Sequence, residues 1–437
     1  MGESSQLKPY FSRLEEFSTL RWTGRVTKAV GHLVESDGPF CSVGEGCAII
    51  TESGHTFSGE IVGFRGRTVL SMPLERPSGI RYGDRIVTRG TRPSLRVGPG
   101  LLGRVIEGSG KPIDGKPGFR ARAHWPLQGE PPLPLDRVPI QSPLSCGIRA
   151  IDGMLTCGRG QRLGIFGGSG VGKSTLIGMM SRGTAADLTV LALVGERGRE
   201  VREFLEEAIG EEGLSRAVVV ASTSDQSPLL RIRAALAATT VAEYFCAQGK
   251  NVLLVVDSLT RFAMAQREIG LAAGEPPTAK GYTPSVFTLL ARLIERAGNF
   301  RNGSITAFYT VLMEGDDQQD PLVDAVRALL DGHIMLDRRL NSQGHYPPIN
   351  ILDSLSRLMN SVCSTEQLEK ARRLRQLLAA YTAAEDLIRV GAYQKGADPQ
   401  LDRAIAGLPA INAFLQQRKF EAVKYEQTTK ALLELPV

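Results

Sequence analysis

The sequence predicts an α/β core that is preceded by a small β-barrel and followed by a helical domain. Residues 21–95 contain short β-rich runs separated by Gly, Ser and Asp turns, a spacing that is typical of a small barrel. From about residue 143 to 360, apolar strands alternate with helical segments, which indicates a mostly parallel sheet covered on both faces. After residue 361 helical periodicity dominates. We therefore predict an amphipathic arm, a barrel, an α/β domain and a helical domain, at 1–20, 21–95, 96–360 and 361–437.

Length and composition limit which classes of protein this chain can belong to. A chain of 437 residues predicts two to four domains and can bury a large core. The net charge of +6 permits contact with an acidic partner or a membrane surface, but Lys and Arg are dispersed and form no nucleic-acid-binding stripe. No apolar run approaches the length of a membrane span, and no signal peptide is recognisable. The six cysteines form no C-x-x-C pair, so we expect reduced thiols in a cytoplasmic protein and no zinc site.

The first twenty residues have the apolar spacing of a short helix. An amphipathic helix over residues 5–20 is predicted by the recurrence of Leu7, Tyr10, Phe11, Leu14, Phe17 and Leu20. Its polar face mixes acidic and basic side chains, whereas a helix that lies on a membrane is usually more basic. Two interpretations stay open: the helix docks on a partner protein, or it packs on its own domain.

Five β-rich runs are recognisable in the predicted barrel, and nothing catalytic stands out among them. They are Gly24–Val30, Cys47–Thr51, Gly59–Phe64, Thr68–Met72 and Asp84–Thr88. The next segment, residues 101–142, is rich in Gly and Pro and predicts a tethered connector into the α/β domain.

A glycine-rich turn is the strongest functional signal in the α/β domain. Residues 162–178, RLGIFGGSGVGKSTLIG, fit G-x-x-x-x-G-K-[ST] in the strand–turn–helix context that this pattern requires. Such a turn lets backbone N–H groups wrap phosphate oxygens, and the helix N-terminus favours negative charge. Lys173 is expected on the β- and γ-phosphates and the Ser174 hydroxyl on Mg²⁺. The predicted phosphate-binding residues are Gly167, Gly168, Ser169, Gly170, Val171, Gly172, Lys173, Ser174 and Thr175.

Two acidic residues end predicted strands of the same sheet. Ligands of such sheets sit beyond the carboxyl ends of the strands. Asp257 closes the run Val252–Val256 and could hold Mg²⁺ through its water shell, although strand-end acids are also common helix caps. Glu196 ends LTVLALVGE and is placed to orient or deprotonate an attacking water, although it could equally stabilise the start of the next helix.

The C-terminal part contains several helix signals. A capping box at Ser364 and Gln367 predicts a helix that ends near Gly391. A second helix is predicted to begin at Asp398 and Pro399, and a third to run through Ile411–Leu415. The basic cluster Lys370, Arg372, Arg373 and Arg375 is interpreted as the solvated face of the first of these helices.

Seven long motifs in the chain belong together. They are GIRAIDGMLTCGRGQRLGIFGGSGVGKST, VGERGREVREFLEE, TSDQSPLLRIRAALAATTVAEYF, DSLTRFAMAQREIGLAAGEPP, EGDDQQDP, LDGHIMLDRRL and GHYPPINILDSLSR. In this order, from about residue 22 to 420, the chain resembles the ATPases of bacterial type III protein export, the flagellum-specific members most closely. These proteins are relatives of the catalytic subunit of rotary ATP synthases. The resemblance implies a six-stranded barrel, a RecA-like P-loop ATPase core, a C-terminal helical domain and a homohexameric ring.

The resemblance also implies roles for individual residues. Glu196, in the string GER, corresponds to the residue that activates water. Arg197 and Arg261, in GER and DSLTR, resemble arginines that hold Glu196 and surround the phosphates. Tyr346, in GHYP, is similar to a tyrosine on which adenine stacks. Arg357 resembles an arginine finger that enters the active site of the neighbouring subunit.

The implied activity is hydrolysis of Mg²⁺-ATP in the service of flagellar protein export, with release of substrates from chaperones. The implied partners are further copies of the chain in a homohexamer, a regulatory or stalk protein at the N-terminal arm, a central stalk protein, export-gate membrane proteins and chaperone–substrate complexes, but no nucleic acid. The implied location is the cytoplasm, at the periphery of the inner-membrane export apparatus and with peripheral membrane contact.

Three other functions stay open at this point. An injectisome secretion ATPase of a virulence system shares the same motifs. A hexameric RNA translocase shares the core architecture, but residues 21–95 contain few aromatic side chains and no clustered Lys or Arg. A non-catalytic scaffold subunit would bind nucleotide without hydrolysis, and the presence of Glu196 argues against it because non-catalytic subunits of the rotary enzymes lack that residue.

The sequence departs from its relatives in three places. Where synthase catalytic subunits have a strongly acidic loop that contacts the rotor, residues 391–404 read GAYQKGADPQLDRA, so the resemblance does not extend to ATP synthesis. The second aromatic residue that flanks adenine has no clean counterpart, and Phe420 and Tyr425 are the candidates. The acidic cluster Glu314, Asp316, Asp317 and Asp320 lacks calcium-loop spacing and is expected to be loop and interface structure.

Overall fold

The computed structural model describes residues 22–436 apart from 314, 316 and 318. The predicted arm over 1–20 lies outside the described residues, as do Glu314 and Asp316 of the acidic cluster. The other two members of that cluster, Asp317 and Asp320, form ion pairs with Lys280 at 2.8 and 3.0 Å. Within the described ranges, no helix is long and apolar enough to cross a bilayer.

The N-terminal domain is a closed six-stranded barrel, which confirms the predicted architecture. Its strands are β1 (Thr23–Val30), β2 (Leu33–Asp37), β3 (Gly46–Ile50), β4 (Thr56–Arg65), β5 (Thr68–Pro73) and β6 (Arg85–Thr88). They pair antiparallel in the order β1-β2-β5-β4-β3-β6. The interior is filled by alternate apolar side chains such as Val34, Ile49 and Ile61, each fully buried. The sequence reading had no strand at β2, whose polar Glu35, Ser36 and Asp37 obscure the alternation.

The segment over 101–142, predicted as a tethered connector, is held by a buried ion pair and also adds a strand to the central sheet. Its Arg104 guanidinium lies 2.7 Å from the Asp114 carboxylate, and both side chains are almost completely buried. A three-residue strand in this segment joins the edge of the central sheet. The strands of this part are β7 (Ser94–Val97), β8 (Arg104–Ile106) and β9 (Ala123–Pro126), of which β7 and β9 pair with each other.

The central sheet brings the carboxyl ends of its main strands to one edge. The strands are β10 (Arg162–Gly167), β11 (Leu188–Glu196), β12 (Ala217–Thr223), β13 (Asn251–Asp257), β14 (Gly298–Asn299), β15 (Ser304–Leu312), β16 (Gly332–Leu336) and β17 (Ile349–Ser356). Their order is β17-β16-β10-β15-β13-β11-β12-β8, with β14 beside β15. Neighbours are parallel except β16 with β17 and β14 with β15. The predicted mostly parallel sheet is thus confirmed.

Helices cover both faces of this sheet. Successive residues of a strand point to opposite faces, and in β13 Val256 packs in one apolar layer while Val255 packs in the other. The helices up to residue 362 are α1 (Arg149–Met154), α2 (Lys173–Gly183), α3 (Gly198–Glu203), α4 (Gly210–Ser215), α5 (Pro228–Ala247), α6 (Leu259–Ala273), α7 (Pro284–Glu295), α8 (Pro321–Leu329), α9 (Arg338–Ser342) and α10 (Met359–Val362). The helical segment that contains VREFLEEAIGEE is divided, because a π-helical turn at Phe204–Ile209 separates α3 from α4.

The C-terminal domain consists of α11 (Thr365–Arg389), α12 (Pro399–Leu415) and α13 (Tyr425–Leu433). As predicted, Ser364 accepts a hydrogen bond from the backbone N–H of Gln367 at the start of α11. The predicted third helix through Ile411–Leu415 is wrong as a separate element, because α12 continues through Pro409 to Leu415. A proline inside a helix costs about 3 kcal/mol, and the buried apolar face of α12 offsets that cost.

The basic cluster on α11 is only partly solvated. Arg372 and Arg373 are exposed, as predicted. Lys370 instead donates to the Leu435 carbonyl at 2.6 Å, and Arg375 donates to the Ser354 carbonyl at 3.0 Å. These two cations therefore tie α11 to the C-terminus and to the central sheet.

Candidate active site

The glycine-rich turn leaves the end of β10 and enters the first turn of α2. Two of its four glycines, Gly170 and Gly172, have positive φ values of 75° and 97°. Gly167 is still in the strand, where a Cβ would lie 3.0 Å from the Cβ of Leu336. A positive φ therefore requires glycine at two positions of the turn, and close packing requires it at a third.

The Lys173 side chain lies inside this turn. Its Nζ donates to the carbonyl oxygens of Gly167, at 3.1 Å, and Gly168. The residue is buried, and burial lowers the pKa of the amine although Asp257 and Glu196 act in the opposite direction. Ser174 follows in the first turn of α2 and is exposed. The turn therefore presents a cation and a hydroxyl at the N-terminus of a helix, which is the arrangement that binds polyphosphate.

Asp257 lies at the end of β13 in a buried position. Its Oδ1 accepts a hydrogen bond of 2.6 Å from the hydroxyl of Thr310 on β15. Burial raises the pKa of this carboxyl, while the Thr310 hydroxyl and the nearby Lys173 oppose that effect. In the register of the sheet, Asp257 is level with Leu193, three residues before the end of β11. The acid therefore faces the edge of the sheet from which the glycine-rich turn departs.

Glu196 lies at the end of β11 and is held by Arg261 from α6. The Nε of Arg261 lies 3.2 Å from Glu196 Oε1, an ion pair without the alignment of a hydrogen bond. Arg261 also donates to the carbonyl of Gly195 at 2.6 Å. Burial and the charge of Asp257 raise the pKa of Glu196 to about 7, and Arg261 counteracts that rise. A carboxyl group with such a pKa can accept a proton near neutral pH.

Arg197 is placed differently from the sequence prediction. Its side chain is 76% exposed and lies 2.7 Å from the carboxylate of Glu200 on α3. Within one protomer it therefore does not hold Glu196, because α3 begins directly after it and the side chain turns toward solvent. Glu200, which the sequence analysis missed, interacts with the carboxyl of Glu196 as well. Its only sequence signal was an acidic residue in the first turn of a helix.

The donor set fits a magnesium ion. The hydroxyl of Ser174 and the carboxylate of Asp257 are hard oxygen ligands, and Mg²⁺ usually takes only one or two such ligands from the protein beside phosphates and water. The Thr310 hydroxyl favours the charged form of Asp257 and so supports cation binding. Thr310 is a second residue that the sequence analysis missed, because a threonine in an apolar strand has no signal of its own.

A cavity of about 720 Å³ lies beside α2, next to the glycine-rich turn. One side is formed by Tyr346, whose ring is about half exposed, together with Pro347 and Pro348. The other side is formed by residues of the link between α12 and α13 that include Gln416, Gln417, Arg418 and Lys419. A planar base stacks favourably on such an aromatic ring.

The two aromatic candidates for the second side of this cavity do not line it. Phe420 is 74% exposed and packs against the guanidinium of Arg182, 5.0 Å from its ring centre. Tyr425 instead donates its hydroxyl to the side chain of Gln367 at 2.7 Å. In the described residues, the side that faces Tyr346 is therefore mainly polar.

Arg357 lies at the opposite edge of the sheet from the glycine-rich turn. Its backbone N–H donates to the carbonyl of Asp331, and Asp331 in turn is level with Arg162 at the start of β10. Gly167 lies five residues after Arg162 along β10, or about 16 Å at the usual strand rise. The exposed guanidinium of Arg357 is therefore too far away to serve the turn of its own protomer.

Three family matches cover most of the chain. Residues 147–356 match the nucleotide-binding domain of the ATP synthase alpha/beta family, and residues 26–90 match its beta-barrel domain. Residues 363–434 match the T3SS EscN ATPase C-terminal domain. The boundaries of these matches agree with the barrel, the α/β domain and the helical domain of the structure.

Proteins of similar sequence align with nearly the whole length of this chain. A flagellum-specific ATP synthase of Pseudomonas aeruginosa is 52% identical over 417 residues, 94% of this chain and 92% of the relative. The type 3 secretion system ATPase of Sinorhizobium fredii is 46% identical over 98% of this chain and 96% of the relative. Among solved structures, the assembled ATPase EscN of enteropathogenic E. coli has a TM-score of 0.90 and 45% identity, covering 94% of this chain and 99% of EscN. EscN in complex with its central stalk EscO has a TM-score of 0.87 and 44% identity, with the same coverage.

Proposed function

Because the chain belongs to the ATP synthase alpha/beta family, in the group of flagellum-specific and type III secretion ATPases, we infer that it hydrolyses ATP to serve protein export. The observation that carries this inference is the meeting of Lys173, Glu196 and Asp257 at one edge of the sheet, beside the cavity of Tyr346. A phosphate-binding turn, a carboxylate base and a cation-binding acid are the parts that phosphoryl transfer to water requires.

The proposed roles follow from the contacts of each side chain. Backbone N–H groups of the glycine-rich turn and the ammonium of Lys173 bind the phosphates. Ser174 and Asp257 hold Mg²⁺, which when bound supplies positive charge against the phosphate oxygens. Glu196 accepts the proton of the attacking water on a carboxylate oxygen, and Arg261 keeps that carboxylate in place. Tyr346 stacks on the adenine base of ATP.

The proposed enzyme acts as a ring because its active site needs a second copy. Arg357 lies at the far edge of the sheet from its own phosphate-binding turn, and an exposed arginine there is available to a neighbour. We propose that it stabilises the charge that develops on the phosphates bound by the next subunit. An arginine supplied in this way is worth about 10³–10⁵ in rate, so an isolated protomer is a poor catalyst.

The similarity to the assembled ATPase EscN, and to EscN with its central stalk EscO, supports a homohexamer around a central stalk protein. We further propose a regulatory or stalk protein at residues 1–20, contacts with export-gate membrane proteins and chaperone–substrate complexes, and a cytoplasmic location at the inner-membrane export apparatus. Flagellar export is proposed over injectisome export because the flagellum-specific relative is 52% identical and the type 3 secretion relative 46%. Restored motility in a bacterium that lacks its own export ATPase would support this choice, and restored injectisome secretion without motility would contradict it.

The test of the catalytic proposal is steady-state phosphate release from ATP. Glu196→Gln removes the base and should lower the rate by about 10²–10⁴-fold while ADP affinity stays close to parental. Glu203→Gln is the matched control, since Glu203 lies at the end of α3, seven residues after Glu196, and pairs with the exposed Arg199. Parental turnover by Glu196→Gln would contradict the role of Glu196, and a rate that depends on added RNA would favour a translocase instead.

A further inference from the structure

The side of the base cavity that faces Tyr346 is formed by a link without regular structure. Gln416–Lys419 and Glu421 line the cavity, and residues 416–424 between α12 and α13 form neither helix nor strand. No backbone ladder holds this link in place. Its position therefore depends on individual contacts with the rest of the protein, many of which involve side chains.

Arg149, on the first turn of α1, makes several of those contacts. Its Nε donates to the Phe414 carbonyl at 2.9 Å, and its Nη2 donates to the Gln416 carbonyl. Its Nη1 pairs with the carboxylate of Glu421. Its backbone N–H donates to the side-chain oxygen of Gln417 at 2.8 Å. A single residue of the α/β domain thus contacts four positions of the chain between 414 and 421.

Gln417 extends this set of contacts to the opposite side of the cavity. Its backbone N–H donates to the Tyr346 carbonyl at 2.7 Å. Its side-chain Nε2 donates to the carbonyl of Gly147 at 2.7 Å and to that of Glu421 at 2.6 Å. The residue is buried. The tyrosine side and the link side of the cavity are therefore joined through Gln417, next to Arg149.

The start of α1, from which Arg149 extends, is held by hydrogen bonds to Asp152 and by close packing. The buried carboxylate of Asp152 accepts hydrogen bonds from the backbone N–H groups of Cys146, at 2.8 Å, and Gly147, at 3.2 Å. It also accepts one from the hydroxyl of Ser145 at 2.7 Å. On the other flank of α1, a Cβ on Gly153 would lie 2.8 Å from the ring of Phe414, so α12 packs directly on α1. Arg149 thus extends from a fixed support.

We propose that Arg149 is a positioning residue. It fixes the side of the cavity that faces Tyr346, and so it couples binding of the adenine base to the placement of the C-terminal helices. The proposal rests on the proposed function, because it takes the cavity beside Tyr346 as the site for the base of ATP. Loss of the Arg149 side chain removes its contacts with Phe414, Gln416 and Glu421, so one of the two surfaces that hold the adenine base is less well fixed. Binding of the phosphates by Lys173 and the glycine-rich turn is unaffected. Because coupling between two sites is reciprocal, base binding in turn orders residues 414–421.

The test compares a ligand that has a base with one that has none. The dissociation constants of ADP and of inorganic tripolyphosphate are measured for the parental protein and for Arg149→Gln. ADP affinity should fall about tenfold and tripolyphosphate affinity by less than about twofold, a separation that a general loss of structure does not produce. Arg149→Lys keeps a charge near Glu421 but lacks the planar fork that reaches several acceptors, so an intermediate result is expected. For ATP hydrolysis by the assembled protein, KM should rise while kcat stays near parental.

The matched control is Arg104→Gln. Arg104 also pairs with a carboxylate and donates to a backbone carbonyl, but it lies in β8 at the far edge of the sheet. Its loss should leave the ratio of the two affinities unchanged. Equal weakening of ADP and tripolyphosphate by Arg149→Gln, or no change in either, would overturn the proposal. Failure of the proposed function looks different, because the parental protein would then release no phosphate from ATP.

Hydrogen exchange on the parental protein supplies a test that requires no variant. ADP should slow amide exchange in residues 414–421, including the N–H of Gln417, whereas tripolyphosphate should leave it nearly unchanged. Equal protection of this link by both ligands would contradict the coupling. This measurement decides the matter even if Arg149→Gln does not fold.

Discussion

Replacing Arg261 by Gln should shift the pH dependence of catalysis. The pKa of Glu196 is raised to about 7 by burial and by the charge of Asp257, and the positive charge of Arg261 opposes this rise. The Arg261 Nε lies 3.2 Å from the Glu196 carboxylate. Removing the guanidinium therefore raises the pKa of Glu196 further. Since Glu196 acts as a base only when it is deprotonated, the variant needs a higher pH to work.

The size of the shift follows from the exposure of the pair. An opposite charge in contact lowers the pKa of a carboxyl group by about 1–3 units. The Arg261 side chain is 30% exposed, and solvent screens its charge, so the lower end of that range applies. A shift of about one unit reduces the deprotonated fraction of Glu196 at pH 7 from about one half to about one tenth. The variant should therefore lose about fivefold in kcat/KM at pH 7 and recover most of it near pH 9.

The assay is kcat/KM for ATP from pH 5.5 to 9.5, because this ratio reports the ionisation of the free enzyme. Arg261→Lys keeps the charge and should shift the acid limb less than Arg261→Gln. Arg202→Gln is the matched control, since Arg202 is exposed and pairs with Glu206 on the surface. A loss of kcat/KM by the same factor at every pH would refute the reasoning, because Arg261 would then act without changing the ionisation of Glu196.

Two further predictions concern residues that support the site. Thr310→Val keeps the side-chain shape but removes the 2.6 Å hydrogen bond to Asp257, so the free energy of unfolding should fall by about 1.5–3 kcal/mol. The same change raises the pKa of Asp257, so the Mg²⁺ concentration for half-maximal activity should rise more at pH 6 than at pH 8; an equal rise at both would contradict this. Gly195→Ala and Gly210→Ala both place a side chain at a φ of 70°, which costs about 1–3 kcal/mol each. Only Gly195→Ala brings a Cβ to 3.0 Å from Arg261, so only Gly195→Ala should lower kcat. Equal losses of kcat in the two variants would contradict the role of the contact between residue 195 and Arg261.

The domain order was predictable because each domain has its own local pattern of polarity. Parallel strands that are buried on both faces leave long apolar runs, and these are visible without knowledge of the partner strands. Strand β8 was not predictable, because it has only three residues in a Gly- and Pro-rich stretch and its partner β12 is more than a hundred residues away. The continuation of α12 through Pro409 was missed for a related reason, since tertiary packing outweighed the local cost of the proline.

The site was predictable as far as it follows from topology. Polar residues that end neighbouring parallel strands meet at one edge, and Glu196 and Asp257 do so. The direction in which the Arg197 side chain points was not predictable, because it depends on where α3 begins. The polar side of the base cavity was also missed, because its shape comes from a link held by Arg149 and not from a motif.

Mixing two inactive variants tests most directly whether one subunit binds the phosphates while the next supplies the arginine. Glu196→Gln lacks the base and Arg357→Ala lacks the arginine, so neither variant alone should release phosphate at an appreciable rate. In rings assembled from equal amounts of both, a site is complete wherever a subunit with intact Glu196 is followed by one with intact Arg357. Random assembly makes about one quarter of the sites complete, so the mixture should regain about one quarter of the parental rate. If Arg357 instead served its own subunit, every site would lack one group, and the mixture would be as inactive as its components.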